Sequence, residues 1–432
     1  MLSAQSLSLK ILRFKSWIPF LLAAALFSVP ISSTARGVFI GFVLVFVVCT
    51  PSYHRDLLSI LMRPWCQALL LFFFIILLAC AWGPASAHDK VAILKKYSKL
   101  LFLPLLAVGF QDPLSRRMGL HAYLLAMLLT CILSIAKGFA LLSYHSPDPG
   151  QVFHNHIVTG LMMAFAAYIA GWLLIQSSTK RARLFYATLV ILFGYQILFI
   201  NTGRTGYLVY GLLMILLIVQ TCPQRKLLFA LCLGGAVFML SYHESATMQV
   251  FINQAIDNVR DIQHGNKNNS IGFRMQFHDF AKKLFVQHPW LGNGTGSYSY
   301  LFKQDNPIPA WHDVRPSQKN LFEPHSQYWL VAAELGLLGL VALLLLFYRF
   351  WVVALRSSSM RGITIALLIL FMMGSLSDSL LFYSGTGYFF LLFMAMCLAA
   401  DETDPFVRIG NPSLSRYIIQ DRSSFNEIKT YV

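Results

Sequence analysis

Three side chains stand in contexts suited to phosphate and proton chemistry. Arg204 lies in Asn201-Thr202-Gly203-Arg204-Thr205-Gly206, Arg274 in Ser270-Ile271-Gly272-Phe273-Arg274, and His325 in Glu323-Pro324-His325-Ser326-Gln327. A guanidinium keeps its charge at any physiological pH and grips phosphate oxygens in two-pronged fashion, which suits a pyrophosphate held for transfer. An imidazole with an ordinary pKa of about 6.5 can accept a proton from a sugar hydroxyl. Each also has a plain reading. Arg204 can snorkel to lipid headgroups, Arg274 can be a solvated surface charge, and His325 can be an interfacial polar residue at a helix start. Glycines on both sides of Arg204 favour a ligand-facing role, since they let a bound group approach the backbone.

Further residues join the candidate set as substrate contacts. His156, in Phe153-His154-Asn155-His156-Ile157-Val158-Thr159-Gly160, sits at a helix start with no carboxylate or cysteine at ligand spacing nearby, so a metal is not expected there. Gly294 lies in the glycine-rich His288-Pro289-Trp290-Leu291-Gly292-Asn293-Gly294-Thr295-Gly296, which permits tight backbone turns. Asp378 and Lys137 are ionisable groups inside apolar stretches, where such groups serve a function or pair with one another. Phosphate-binding, dinucleotide, serine-hydrolase and metalloprotease motifs do not occur. The acids in the polar regions form no Asp-x-Asp that would hold a divalent ion for a diphosphate. A transfer reaction is therefore expected to be metal-independent, without cofactor.

The elements that must position these residues are apolar helices. The chain is 57% hydrophobic and only 12% charged, a membrane-protein composition. Apolar runs of about 20 residues recur at roughly 17–34, 37–53, 65–82, 97–112, 119–142, 155–176, 184–201, 205–222, 226–243, 325–348, 362–382 and 385–400, giving about twelve expected spans. About eighty residues between Tyr242 and Pro324 cannot span a bilayer. The organisation expected is helices over 1–242, a polar loop over 243–324, helices over 325–400 and a polar tail over 401–432. Within the loop, Phe273 to Gln287 carries apolar residues at helical spacing and should form an amphipathic helix ended by His288-Pro289. Lys10, Arg13 and Lys15 precede the first apolar run, which reads as a transmembrane helix rather than a cleaved signal.

Lysine and arginine outnumber acids by 34 to 18. Sorting the cations by connection puts both termini in the cytoplasm and the large loop outside. Topology does not require Arg204, Arg260, Lys267, Arg274, Lys282, Lys283, Lys303, Arg315, Lys319 or the group Lys90, Lys95, Lys96 and Lys99. These gather on the face where a lipid-linked phosphate would be met. The seven cysteines fall in or beside apolar segments and indicate no disulfide framework.

In order, Phe153 to Gly160, Thr202-Gly203-Arg204-Thr205-Gly206, Gly272-Phe273-Arg274, His288 to Gly296, and Pro324-His325-Ser326-Gln327-Tyr328 followed by Glu334-Leu335-Gly336-Leu337-Leu338-Gly339-Leu340 resemble the O-antigen ligase family. The resemblance covers roughly 150–385. It implies a GT-C-type all-α membrane glycosyltransferase of the bacterial inner membrane, acting as a monomer on the periplasmic face, with no nucleic-acid partner. It further implies transfer of a glycan from undecaprenyl diphosphate to lipid A-core among the membrane lipids. Arg204 and Arg274 match the family's diphosphate-binding arginines and His325 its essential histidine. Ser326 departs from the asparagine that many relatives carry after that histidine. An O-antigen polymerase, a pilin-type oligosaccharyltransferase and a glycolipid transporter are the competing readings. A transporter should place its ionisable groups near the bilayer midplane, whereas these crowd one edge.

Overall fold

The computed structural model describes residues 16–142, 146–311, 321–357 and 359–400, which are helical with no strand among them. Arg315, Lys319, the N-terminal cations and the expected polar tail lie outside the described residues. α1 (Ser16–Ser28) and α2 (Ser33–Cys49) are followed by a bend of 84° at Thr50-Pro51 into α3 (His54–Leu61). Proline lacks the amide needed to carry a helix onward. α4 (Pro64–Leu78) leads to α5 (Ala87–Ser98), a 3₁₀ segment over Lys99–Phe102, and α6 (Leu103–Gly109). α7 (Pro113–Gly138) begins with a proline in its first turn and an Asp112 cap, both favoured at helix starts.

α8 (His156–Gln176) is capped by Asn155, and α9 (Lys180–Tyr195) ends in a π turn over Gln196–Ile200. α10 (Arg204–Thr221) and α11 (Gln224–Glu244) complete the first set of long helices. The intervening polar region folds as α12 (Ala246–Gln263), α13 (Ser270–Gln287) and α14 (Ser297–Asp305). α13 begins three residues before the expected Phe273 because Asn269 Oδ1 accepts the Gly272 amide at 2.9 Å. α15 (Gln327–Arg356), α16 (Arg361–Gly374) and α17 (Ser384–Leu398) return to apolar sequence.

Among the described residues, seven helices are long and apolar enough to cross a membrane, or eight if the bent pair is one span, where the sequence led us to expect about twelve. The difference is one of length rather than position. α1, α16 and α17 are apolar but shorter than the ~20 residues a span requires. The stretch expected to cross over 97–112 is divided by the 3₁₀ segment and Pro104. The protein is a multi-pass membrane protein with α8 at its centre, 78% of that helix's apolar stretch being buried, whereas α11 has 6% buried and faces outward along nearly its whole length.

Lipid is as apolar as leucine, so close packing rather than expulsion from water must hold such a bundle. In the core, Phe393 packs edge-on against Tyr123 and Phe165 with ring centroids 4.7 and 4.9 Å apart. Such pairs contribute about 0.5–1.5 kcal/mol each beyond area burial. α8 and α10 meet at Gly160 and Gly206, where a Cβ on either glycine would strike the Asn201 amide nitrogen between them.

α15 is broken at Gly336 (φ 63°, ψ −158°), a region open essentially to glycine alone. The break is filled by the glycine-rich motif. The amides of Asn293 and Gly294 donate to the carbonyls of Ala333 and Glu334 at 3.0 and 2.8 Å, while those of Leu337 and Leu338 donate to Pro289 and Trp290 at 2.8 and 3.2 Å. Backbone groups freed by the kink thus find partners, as a membrane interior demands. This clamp fixes the half of α15 that begins just after His325.

Candidate active site

His325 sits in the turn preceding α15, with a left-handed backbone (φ 51°) that non-glycine residues adopt only when their surroundings enforce it. Glu323 Oε2 enforces it by accepting the His325 amide at 2.8 Å. Ser326 caps α15 and donates to the Ser375 carbonyl at 3.3 Å, so it is occupied in holding the turn. Gln327 is bonded to Tyr97 at 2.9 Å and to the Leu381 amide at 3.1 Å, which ties α5 and the turn before α17 to the same point.

The imidazole is oriented by two carboxylates. Its Nδ1 lies 3.0 Å from Asp378 Oδ1 and 3.1 Å from Glu323 Oε1. Both acids are buried, and Glu323 also accepts from the hydroxyls of Ser379 and Tyr383. A proton on Nδ1 satisfies this arrangement and leaves Nε2 as the acceptor. Burial alone would depress the His325 pKa, but the Asp378 hydrogen bond and the charges of Glu323 and Asp378 outweigh burial and the opposing Arg274, so it titrates above its ordinary value. The ligating atoms of Glu323, His325 and Asp378 lie within 4.8 Å of one another, close enough to share a divalent cation as well as a proton.

α13 lies across this turn. Arg274, Phe277 and His278, spaced three and four apart, share one of its faces. The Phe277 ring stacks on His325 with centroids 5.6 Å apart, and the charge of Arg274 reaches both His325 and Tyr383. Arg260, Lys267 and Lys283 of the polar region each pair with an acid, at 3.3, 3.9 and 3.2 Å. Arg274 has no such pair among the described residues.

Arg204 opens α10. Its Nη2 donates to Ser270 Oγ at 2.8 Å, which joins it to the start of α13, and its Nη1 is buried without a partner. The charge of Arg274 acts on Arg204, and neither arginine pairs with an acid among the described residues. Leaving two guanidinium groups together and unpaired is costly unless an anion meets them. From Arg204 an apolar groove of about 610 Å³ runs between α10, α11 and α12, lined by Tyr207, Leu208, Phe238, Ile252 and Ile256 among others. α11, which is almost wholly unburied, forms one wall of it.

The other expected contacts fall elsewhere. His156 Nδ1 is bonded to Asp148 at 2.7 Å, and Thr202 donates to the same carboxylate at 2.9 Å, so His156 braces the turn before Arg204. Lys137 donates to the Gln151 carbonyl at 2.7 Å, and Asp378 is bonded to His325, so the ion pair weighed for those two is not formed. Gly294 packs its backbone against Gly83 and α15 rather than beside His325. Sequence reasoning passed over Glu323 and Tyr383. The acid two residues before His325 was a visible signal, whereas Tyr383 carried none.

No curated protein matches the chain. The sequence profile of a family described as O-antigen ligase matches residues 187–344, a stretch containing Arg204, Arg274, Glu323 and His325. Together with the multi-pass fold, that match supports a function of the ligase and polymerase kind. Over the segment that holds its two arginines and its histidine, the chain is similar to the O-antigen ligase family, and the match supports that family for it.

Proposed function

We propose that the protein is an O-antigen ligase that moves a glycan from undecaprenyl diphosphate onto lipid A-core at the periplasmic face of the inner membrane. The observation that carries this reading is the pair of uncompensated arginines, standing between an apolar groove and a histidine oriented through Nδ1. The polyprenyl chain enters along the groove, and its diphosphate rests on Arg204 and Arg274. Nε2 of His325 takes the proton of the acceptor hydroxyl as that oxygen bonds to the anomeric carbon. The bond from this carbon to the diphosphate oxygen breaks, and its electron pair leaves with the diphosphate, whose charge the guanidiniums stabilise. A single displacement inverts the anomeric centre.

His325 serves as a base here, and no divalent ion takes part. Turnover should therefore survive exhaustive chelation, and loss restored by a divalent cation would transfer Glu323, His325 and Asp378 to a metal. The ligase reading is separated from polymerase by the lipopolysaccharide of a deletion strain. Undecaprenyl-linked long chains accumulating beside bare lipid A-core support ligation. Core bearing a single repeat would instead indicate a lost polymerase.

A further inference from the structure

A second group of cations meets the chain at Tyr383 and Ser384. Arg36, near the start of α2, is 1% exposed, and Lys99, in the 3₁₀ segment, is 3% exposed. Both are turned to the first turn of α17, the segment Ser384-Gly385-Thr386-Gly387. Arg36 Nη2 donates to Ser384 Oγ at 2.9 Å, while its Nε and Nη1 are buried without partners. Lys99 Nζ donates to the Tyr383 carbonyl at 2.7 Å, and a Cβ on Gly387 would strike it. No acid pairs with either cation among the described residues. The ring of Tyr388 lies under both, 4.8 Å from Arg36 and 6.0 Å from Lys99.

α17 has no side-chain cap at its N-terminus. Its first amides and the positive end of its dipole are thus unanswered by any side chain, a combination that binds anions. Two buried charges of the same sign beside it make the point unfavourable until a doubly charged group arrives. Ser384 is exposed and His154, beside Gly385, is half-buried, so the turn is reached from the surface. We propose that the first turn of α17, with Arg36 and Lys99, forms a second oxyanion site, distinct from the Arg204 and Arg274 pair, which takes a phosphate group. A guanidinium fork, an ammonium and helix amides together match the several oxygens of a phosphate better than the two of a carboxylate. The phosphate comes either from a lipid headgroup at the bundle edge or from solution.

The test reads binding without turnover, so its failure and that of the ligase reading are distinguishable. The full chain is reconstituted in phosphatidylcholine nanodiscs, and thermal unfolding is followed with inorganic phosphate at constant ionic strength, and separately with phosphatidic acid in the disc. Stabilisation by both places free phosphate at the site, and stabilisation by phosphatidic acid alone identifies a headgroup. In each case the stabilisation that Arg204→Gln retains should be lost when Arg36→Met is added to it, with affinity weakened about tenfold or more. Without phosphate, Arg36→Met should unfold no earlier than the wild type, because an apolar side chain replaces an uncompensated charge. Lys99→Met supplies the same comparison if Arg36→Met does not fold in phosphate. No stabilisation by either ligand, equal stabilisation of the variants, or an Arg36→Met protein that unfolds early without phosphate would overturn the proposal and leave Arg36 as a cation anchored on Tyr388.

Discussion

The two cation groups without an acid partner among the described residues differ in how they are enclosed. Arg204 and Arg274 are half-exposed and come from separate helices joined through Ser270, and Arg204 sits at the mouth of an apolar groove. Arg36 and Lys99 are buried, fixed by hydrogen bonds to Ser384 and Tyr383, and stand at a helix N-terminus. An open pair backed by an apolar groove suits a diphosphate that must arrive on a long lipid and leave after reaction. An enclosed pair suits a small group held in place. The same residue chemistry therefore separates into holding for transfer and holding for position, according to enclosure.

If that contrast is right, removing the base has the largest effect. His325→Ala should reduce transfer by at least ~100-fold, the usual scale of general-base catalysis, measured with reconstituted protein and both glycolipids. Arg274→Lys keeps the charge but loses the two-pronged contact, so turnover should fall about 10- to 100-fold, on the scale of a hydrogen bond to a charged group. Near wild-type turnover would make Arg274 a surface charge and erase the distinction. Asp378→Asn should act more mildly, through pH. His325 works as a base only when neutral, so activity rises with pH through its elevated pKa. Removing the Asp378 charge lowers that pKa, and the acidic limb of the profile should move to lower pH. A limb that stays in place would mean that another group is titrating. Smallest is the effect of Arg36→Met on donor use, which should remain within about twofold when transfer is followed at saturating acceptor.

The arginines and the histidine were legible because a membrane composition makes every charge conspicuous. Once topology explains most cations, those outside the explanation stand out, and the charge of Arg274 acts on Arg204. The glycine-rich motif misled in an instructive way. Glycines announce close backbone approach without naming what approaches. At Gly292 and Gly294 the visitor is the broken α15 and the backbone at Gly83, not a substrate. Glu323 and Tyr383 were hidden for different reasons. The acid could be seen but had no visible partner, and the tyrosine reaches it across sixty residues of sequence. Arg36 was hidden by its position near a helix start, where a cation normally snorkels; only burial reveals that this one does not.

The most direct measurement of the central claim is the equilibrium affinity of undecaprenyl diphosphate for three reconstituted proteins: wild type, His325→Ala and Arg274→Lys. The donor should bind His325→Ala as tightly as wild type and Arg274→Lys about tenfold or more weakly. Unchanged affinity in Arg274→Lys, or affinity lost with His325 instead, would contradict the assignment of the arginines to the diphosphate and of the histidine to the proton.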